Sequence, residues 1–151
     1  MSGNLELIKR SYASSASGDR PGIVRDFSEK GVWIEMAGAP HSGMFTGPQE
    51  VLEHVFAGSV DEWERFACIP EDYFEDTERG VVVMVGHYEG VHKISRKSMW
   101  VRTAHVWRVE KGKIVRYEQF ADTKLLWDAV VPAPDGAYPH LVKSSMLQAE
   151  K

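Results

Sequence analysis

The sequence predicts an α+β fold: a cone-shaped barrel in which a strongly curved, mostly antiparallel sheet wraps around three N-terminal helices. Three observations predict it. Apolar residues recur at helical spacing in the first part of the chain and at strand spacing in most of the rest. The stretch Ser98–Thr123 alternates with period two on either side of Lys111-Gly112, a hairpin break because Gly supplies positive φ. Helices set apart from a run of antiparallel strands pack as two layers, and a long sheet curling around helices leaves a pocket between them.

Taken in order, Asn4 is expected to cap a first helix with Leu5, Ile8, Tyr12 and Ala16 at roughly helical spacing, ended by Gly18. Asp19-Arg20-Pro21 restarts a short second helix that buries Ile23, Val24 and Phe27, Pro being tolerated in a first turn. Gly31 closes it, and Val32–Met36 reads as a strand. Ala37–Gly47 is a Gly/Pro loop. Thr46 and Gln49 match a capping box before a third helix with Val51, Leu52, Val55 and Phe56 on one face. Trp63–Asp76 reads as a strand interrupted by Pro70, and Thr77–Gly80 as a turn. Val81–Tyr88 is apolar on both faces, as a strand covered on both sides is. In the hairpin, Met99, Val101, Thr103, His105, Trp107 and Val109 share a face. The opposite face, with Trp, Val, Phe and Arg, suits a subunit contact. Lys124–Val130 is a last short helix capped by Asp122. Residues 1–130 are thus expected to form one domain. Residues 131–151, with Pro132, Pro134, Gly136 and Pro139, are expected to form an extended tail reaching over a neighbour.

Composition narrows the function. A chain of 151 residues with 43% hydrophobic residues can bury one sizeable core. A net charge of −4 gives no electrostatic reason to expect nucleic acid or an anionic membrane as partner. No apolar run is long enough to span a bilayer, and the N-terminus lacks a signal-peptide pattern. The single Cys68 excludes an internal disulfide and fits a reducing cytoplasm. Its apolar neighbours Phe66, Ala67 and Ile69 suggest an inert buried thiol. The histidines are scattered without metal-ligand spacing, and no phosphate-binding or nucleophile-elbow motif is present, so neither metal nor cofactor is expected.

Several segments in order carry a family resemblance: Tyr12 with Ala16–Asp19, Trp33–Met36, Phe45–Pro48, His105–Val109, and Gly112–Val115 through to Ala121-Asp122-Thr123. Together they resemble the nuclear transport factor two-like superfamily, in the branch holding ketosteroid isomerase and the SnoaL-like polyketide cyclases. The resemblance implies a cone-shaped α+β barrel with a deep apolar pocket, dimeric through the outer face of its sheet. Glu35 falls where the isomerase-like enzymes keep the carboxylate that moves a proton on the substrate. His105 falls where they keep a second acid on the developing oxyanion, and Tyr12 lies beside the position of their oxyanion-hole tyrosine. Gln119 falls where the cyclases and limonene-epoxide hydrolase-like enzymes keep an aspartate. Tyr88 and Gly86 fall where the hydrolases keep an aspartate and an arginine, so this chain lacks that triad.

The candidate catalytic residues are therefore Glu35, His105 and Tyr12. A strand carboxylate between Trp33 and Met36 faces a pocket or is paired, and burial raises its pKa towards that of a general base; an exposed strand-end Glu is the bland alternative. His105 points inward with Thr103 and Trp107. A satisfied core histidine is its alternative, and within reach of Glu35 the two would titrate as a coupled pair. Either Glu35 orients the imidazole while His105 moves the proton, or Glu35 is the base and protonated His105 stabilises an enolate oxygen. Trp33, Phe56, Trp63, Met84, Tyr88, Trp107, Tyr117 and Gln119 are the expected substrate-binding residues, suited to a flat hydrophobic ligand. His41 reads as a lid residue or a solvated loop histidine. The expected function is cofactor-independent proton transfer, of isomerase or cyclase type, on a small hydrophobic carbonyl compound. The alternatives are a non-catalytic module that binds a hydrophobic small molecule or dimerises and, last, an epoxide hydrolase.

Overall fold

The computed structural model describes residues 3–132 and 142–143. Helix α1 (Gly3–Ser17) buries Leu7, Ile8 and Ser11 along one face. It already includes Gly3, so Asn4 lies inside the first turn and does not cap it. Gly18 ends the helix with φ 78°, a conformation cheap only without a Cβ. Helix α2 (Arg20–Ile23) is a single turn. The Asp19 side chain accepts from the Gly22 N–H at 3.0 Å, and Pro21 sits in the first turn. Ser11 Oγ donates to the Ile23 carbonyl at 2.8 Å and ties the two helices together.

Phe27, expected on that helix, instead opens β1 (Phe27–Glu35). The strand thus begins well before Val32. The loop expected over residues 37–47 contains a short strand, β2 (Gly43–Thr46), pairing antiparallel with β1 in the register Glu35↔Gly43, Trp33↔Phe45. Four residues flanked by glycines are too few to show a period of two. Helix α3 (Gly47–Val51) comes next, but its cap differs from the expected box. The Thr46 side chain makes no capping bond; instead the Glu50 carboxylate accepts from the Thr46 N–H at 2.7 Å. The helix then widens into a π-turn over Leu52–Phe56, where the Ala57 N–H reaches back to the Leu52 carbonyl.

After a turn of helix, α4 (Ser59–Glu62), come the long strands β3 (Trp63–Asp76), β4 (Val81–His92), β5 (Ser98–Glu110) and β6 (Lys113–Ala121). β3 runs through Pro70 by shifting register between Pro70 and Asp72. β5 and β6 meet at Lys111-Gly112, φ 50° and 73°, as a two-residue hairpin with positive φ at both positions requires. The sheet order is β2-β1-β6-β5-β4-β3, all antiparallel except the β1–β6 pair, and it curls without closing. Helix α5 (Thr123–Val130) begins at Asp122, whose carboxylate accepts from the Leu125 N–H at 3.1 Å. A short strand β7 (Val142–Lys143) lies parallel to β5. The rest of the expected tail, 133–141 and 144–151, lies outside the described residues.

The inner face of the sheet carries two buried clusters. Trp33, Trp107, Tyr117 and Val82 pack beneath α1, α2 and α3. Trp63, Tyr88, Met99 and Val101 pack against Leu126 and Ala129 of α5. The candidate site lies between them.

Candidate active site

A cavity of about 990 Å³ opens between the concave sheet and the helices. Every expected site residue lines it except Met84. Met84 shares the inner face of β4 but is wholly buried, its sulfur against Gly86.

At one wall the rings of Trp33 and Tyr117 stack with centroids 3.7 Å apart, and Trp107 meets both edge-on. Phe56 meets Trp33 edge-on at 5.5 Å. Aromatic pairs of this kind contribute about 0.5–1.5 kcal/mol beyond burial, so they hold the wall rigid. Trp33 and Glu35, two apart on β1, point to the same side, and Trp33 Nε1 donates to Glu35 Oε1 at 2.6 Å. Burial pushes the Glu35 carboxyl up to about 7, against the opposing pull of that hydrogen bond and of His41.

His105 stands wholly inside, and burial holds its imidazole down at about 3, so the ring is neutral. Both its nitrogens face tyrosine hydroxyls: Nδ1 is 2.6 Å from Tyr12 Oη and Nε2 is 2.6 Å from Tyr88 Oη. Trp107 Nε1 donates to Tyr12 Oη at 2.9 Å, and Gln119 Nε2 donates to Tyr88 Oη at 2.8 Å. Burial raises the pKa of Tyr12, Tyr88 and Tyr117 alike, so all three keep their protons.

The expected coupled pair of Glu35 and His105 does not form. Strand order is the reason. Ile34 pairs with Glu118 on β6, and Gln119 pairs with His105 on β5, so Glu35 and His105 are two strand spacings apart, about 9.6 Å of sheet. Gln119 stands between them, its Oε1 accepting from the Met36 N–H at 3.2 Å. The structure also removes the protonated His105 from the second division of labour.

Thr103 and Cys68 were not among the expected site residues. Thr103 stands diagonal to Tyr88 across the β4–β5 pair and draws the Tyr88 pKa down against burial, and Cys68 lines the cavity with its thiol pushed up to about 12 by burial and by Glu35. The alternation of β5 already placed Thr103 on the inner face. Only the register between strands brings it to Tyr88. At the mouth, the exposed His41 lies 2.6 Å from Glu62 Oε2, and Glu62 Oε1 lies 3.3 Å from His92 Nε2. Among the described residues no group of His, Cys, Asp and Glu is arranged to hold a metal ion, and no helix is long and apolar enough to cross a membrane.

The model of the SnoaL-like domain matches residues 8–117, most of the chain and the whole of the cavity framework up to Tyr117. The chain belongs to the SnoaL-like domain family. Among curated proteins there is no match. Solved structures carry the likeness further. An NTF2-like protein from Burkholderia thailandensis is 33% identical, covers 87% of this chain and 100% of its own, and superposes with a TM-score of 0.82. TerC, crystallised with polyporic acid, is 22% identical over 85% of this chain and 98% of its own, with a TM-score of 0.74. A protein of ketosteroid isomerase-like fold from Catenulispora acidiphila, in complex with trimethylamine, is 14% identical over 88% and 98%, with a TM-score of 0.73. The last two show the SnoaL-like fold alone.

Proposed function

We propose that this SnoaL-like protein is a cofactor-independent proton-transfer enzyme, of isomerase or cyclase type, acting on a small, flat, hydrophobic carbonyl compound. One observation carries the reading: a carboxyl held at about 7 looks into an aromatic cavity whose inner end is a neutral Tyr12–His105–Tyr88 chain. A base with a pKa near the working pH combines a large ionised fraction with a strong pull on a proton. Glu35 takes a proton from carbon next to the carbonyl, the electron pair moves to the carbonyl oxygen, and a tyrosine hydroxyl bonds that oxygen as charge develops on it. Glu35 then returns the proton to another carbon. His105 acts through the tyrosines as a positioning residue. A carboxylate is missing at both Gln119 and Tyr88, which speaks against epoxide hydrolysis.

The polyporic acid co-crystallised with TerC supports a small organic ligand in a cavity of this fold. It equally supports the second reading, a binding module without turnover. Glu35→Gln decides between them: it is expected to abolish turnover on flat ketones while leaving ligand affinity within a few-fold. Retained turnover rules out Glu35 as the base.

We further propose a homodimer through the outer face of the sheet. Val81, Val83, Val85, Ala104 and Val106 are half-buried there, and Phe74 and Phe120 are 57% and 43% exposed. Residues 1–130 are proposed as one domain, and of the remainder Val142-Lys143 pair with β5. The lone Cys68 favours the cytoplasm.

A further inference from the structure

The hydrogen-bond chain Trp107–Tyr12–His105–Tyr88–Gln119 carries one proton more than its central links use. Both ends point protons inward. Indole Nε1 only donates, so Trp107 places its proton on Tyr12 Oη. Gln119 is oriented by the Met36 N–H on its Oε1, so its amide nitrogen faces Tyr88 and donates. Between the ends lie two links, Tyr12–Nδ1 and Nε2–Tyr88, and three protons: one on each hydroxyl and one on the neutral imidazole. One hydroxyl proton is therefore left over.

The imidazole decides which. With its proton on Nε2, His105 donates to Tyr88 and accepts from Tyr12, and the spare proton is that of Tyr88. Thr103 is placed to take it, being diagonal to Tyr88 across the β4–β5 pair with its own proton on the Phe120 carbonyl at 3.0 Å. Tyr12 Oη then keeps one open lone pair. With the proton on Nδ1, His105 donates to Tyr12 and accepts from Tyr88. The spare proton is now that of Tyr12, which has no third partner among the described residues and lines the cavity.

We infer that His105 is a tautomer switch setting what Tyr12 offers a ligand: a donor to a carbonyl oxygen when the ring proton is on Nδ1, an acceptor for a hydroxyl when it is on Nε2. One cavity thereby accommodates both the keto and the enol form of one compound without moving a side chain. Both states hold the same number of protons. A ligand oxygen selects between them by binding one better than the other. The inference rests on this cavity being a ligand site, and is independent of Glu35 being its base.

The test is two-bond proton–nitrogen NMR on the full chain with isotope-labelled histidine, the His105 signal being assigned by its loss in His105→Phe. Without ligand, the Nε2–H form is expected. Thr103→Val removes the home of the spare Tyr88 proton and is expected to shift the population towards Nδ1–H. Saturating fluorenone, which only accepts, is expected to give Nδ1–H; fluorenol is expected to hold Nε2–H; fluorene is expected to change nothing. Tyr12→Phe is expected to lower fluorenone affinity about tenfold, the worth of one hydrogen bond, and to leave fluorene unchanged. One tautomer throughout, no response to Thr103→Val, or fluorenone binding no better than fluorene would overturn the switch. Repeating the fluorenone titration in Glu35→Gln separates the two ideas. Turnover is read separately on an enolisable flat ketone, 2-tetralone: if it is lost in Glu35→Gln while the tautomer still changes with fluorenone, both stand; if it is retained, only the base assignment falls.

Discussion

Glu35 and His105 are two titratable groups that the fold displaces in opposite senses. The Glu35 carboxyl is raised from 4.5 to about 7, so its protonated form is the one the fold favours. Its contribution to stability is full below pH 4.5 and is lost as pH rises through 7, a change of at most about 3 kcal/mol. The His105 imidazole is lowered from 6.5 to about 3. Its contribution is full above pH 6.5 and is lost as pH falls towards 3. Between pH 4.5 and 6.5 the two slopes oppose each other and the wild-type curve is expected to be nearly flat. Urea midpoints measured across pH check this. Glu35→Gln is expected to expose a fall on acidification below pH 6.5. His105→Phe, which also loses two hydrogen bonds and about 2–3 kcal/mol, is expected to expose a rise. Turnover needs ionised Glu35, so kcat/KM is expected to climb with a midpoint near pH 7. His41→Ala, removing a charge that stabilises the carboxylate, is expected to move that midpoint upward.

Among the elements, long regular ones were readable in the sequence and short or irregular ones were not. The β5–β6 hairpin announced itself because thirteen and nine residues alternate around Lys111-Gly112. β2 and the first half of β1 did not, because β2 is four residues long and Lys30-Gly31 interrupts the apolar pattern of β1. The site divides the same way. Glu35, His105 and Tyr12 could be named singly from pattern and resemblance. The partnership of Tyr12 with His105 spans 93 positions, and that of Tyr88 with His105 spans 17, and both depend on register between elements. Turn glycines allow a test at this scale. At Gly112 a Cβ meets nothing within 4 Å, so Gly112→Ala is expected to cost only the positive-φ penalty, about 1 kcal/mol. At Gly47, with φ 80°, a Cβ would also stand 2.9 Å from the Glu29 carbonyl, so Gly47→Ala is expected to cost more; thermal unfolding of the two variants side by side measures the difference.

For the molecule as a whole, the curl of the sheet makes the inner face a container and leaves the outer face short of cover. Phe120 sits on the outer side of the strand whose inner side carries Gln119. A charge at that position faces any second copy without touching the cavity. Phe120→Glu is therefore expected to convert a dimer to a monomer in sedimentation velocity while ligand binding persists. A monomeric wild type would remove the dimer from the proposal.

The π-turn at Leu52–Phe56 fits one residue more into a loop of backbone than an α-helix does. Phe56, the edge-on neighbour of Trp33, is the last residue of that turn. Removing one residue there would restore the α-helical spacing and leave the residues beyond it nearly in phase, so the change falls on the turn itself and on where Phe56 sits. The end wall of the cavity is thus governed by chain length at one turn as much as by side-chain identity. A one-residue deletion at this turn is expected to change which ligands the cavity holds while leaving the sheet unchanged.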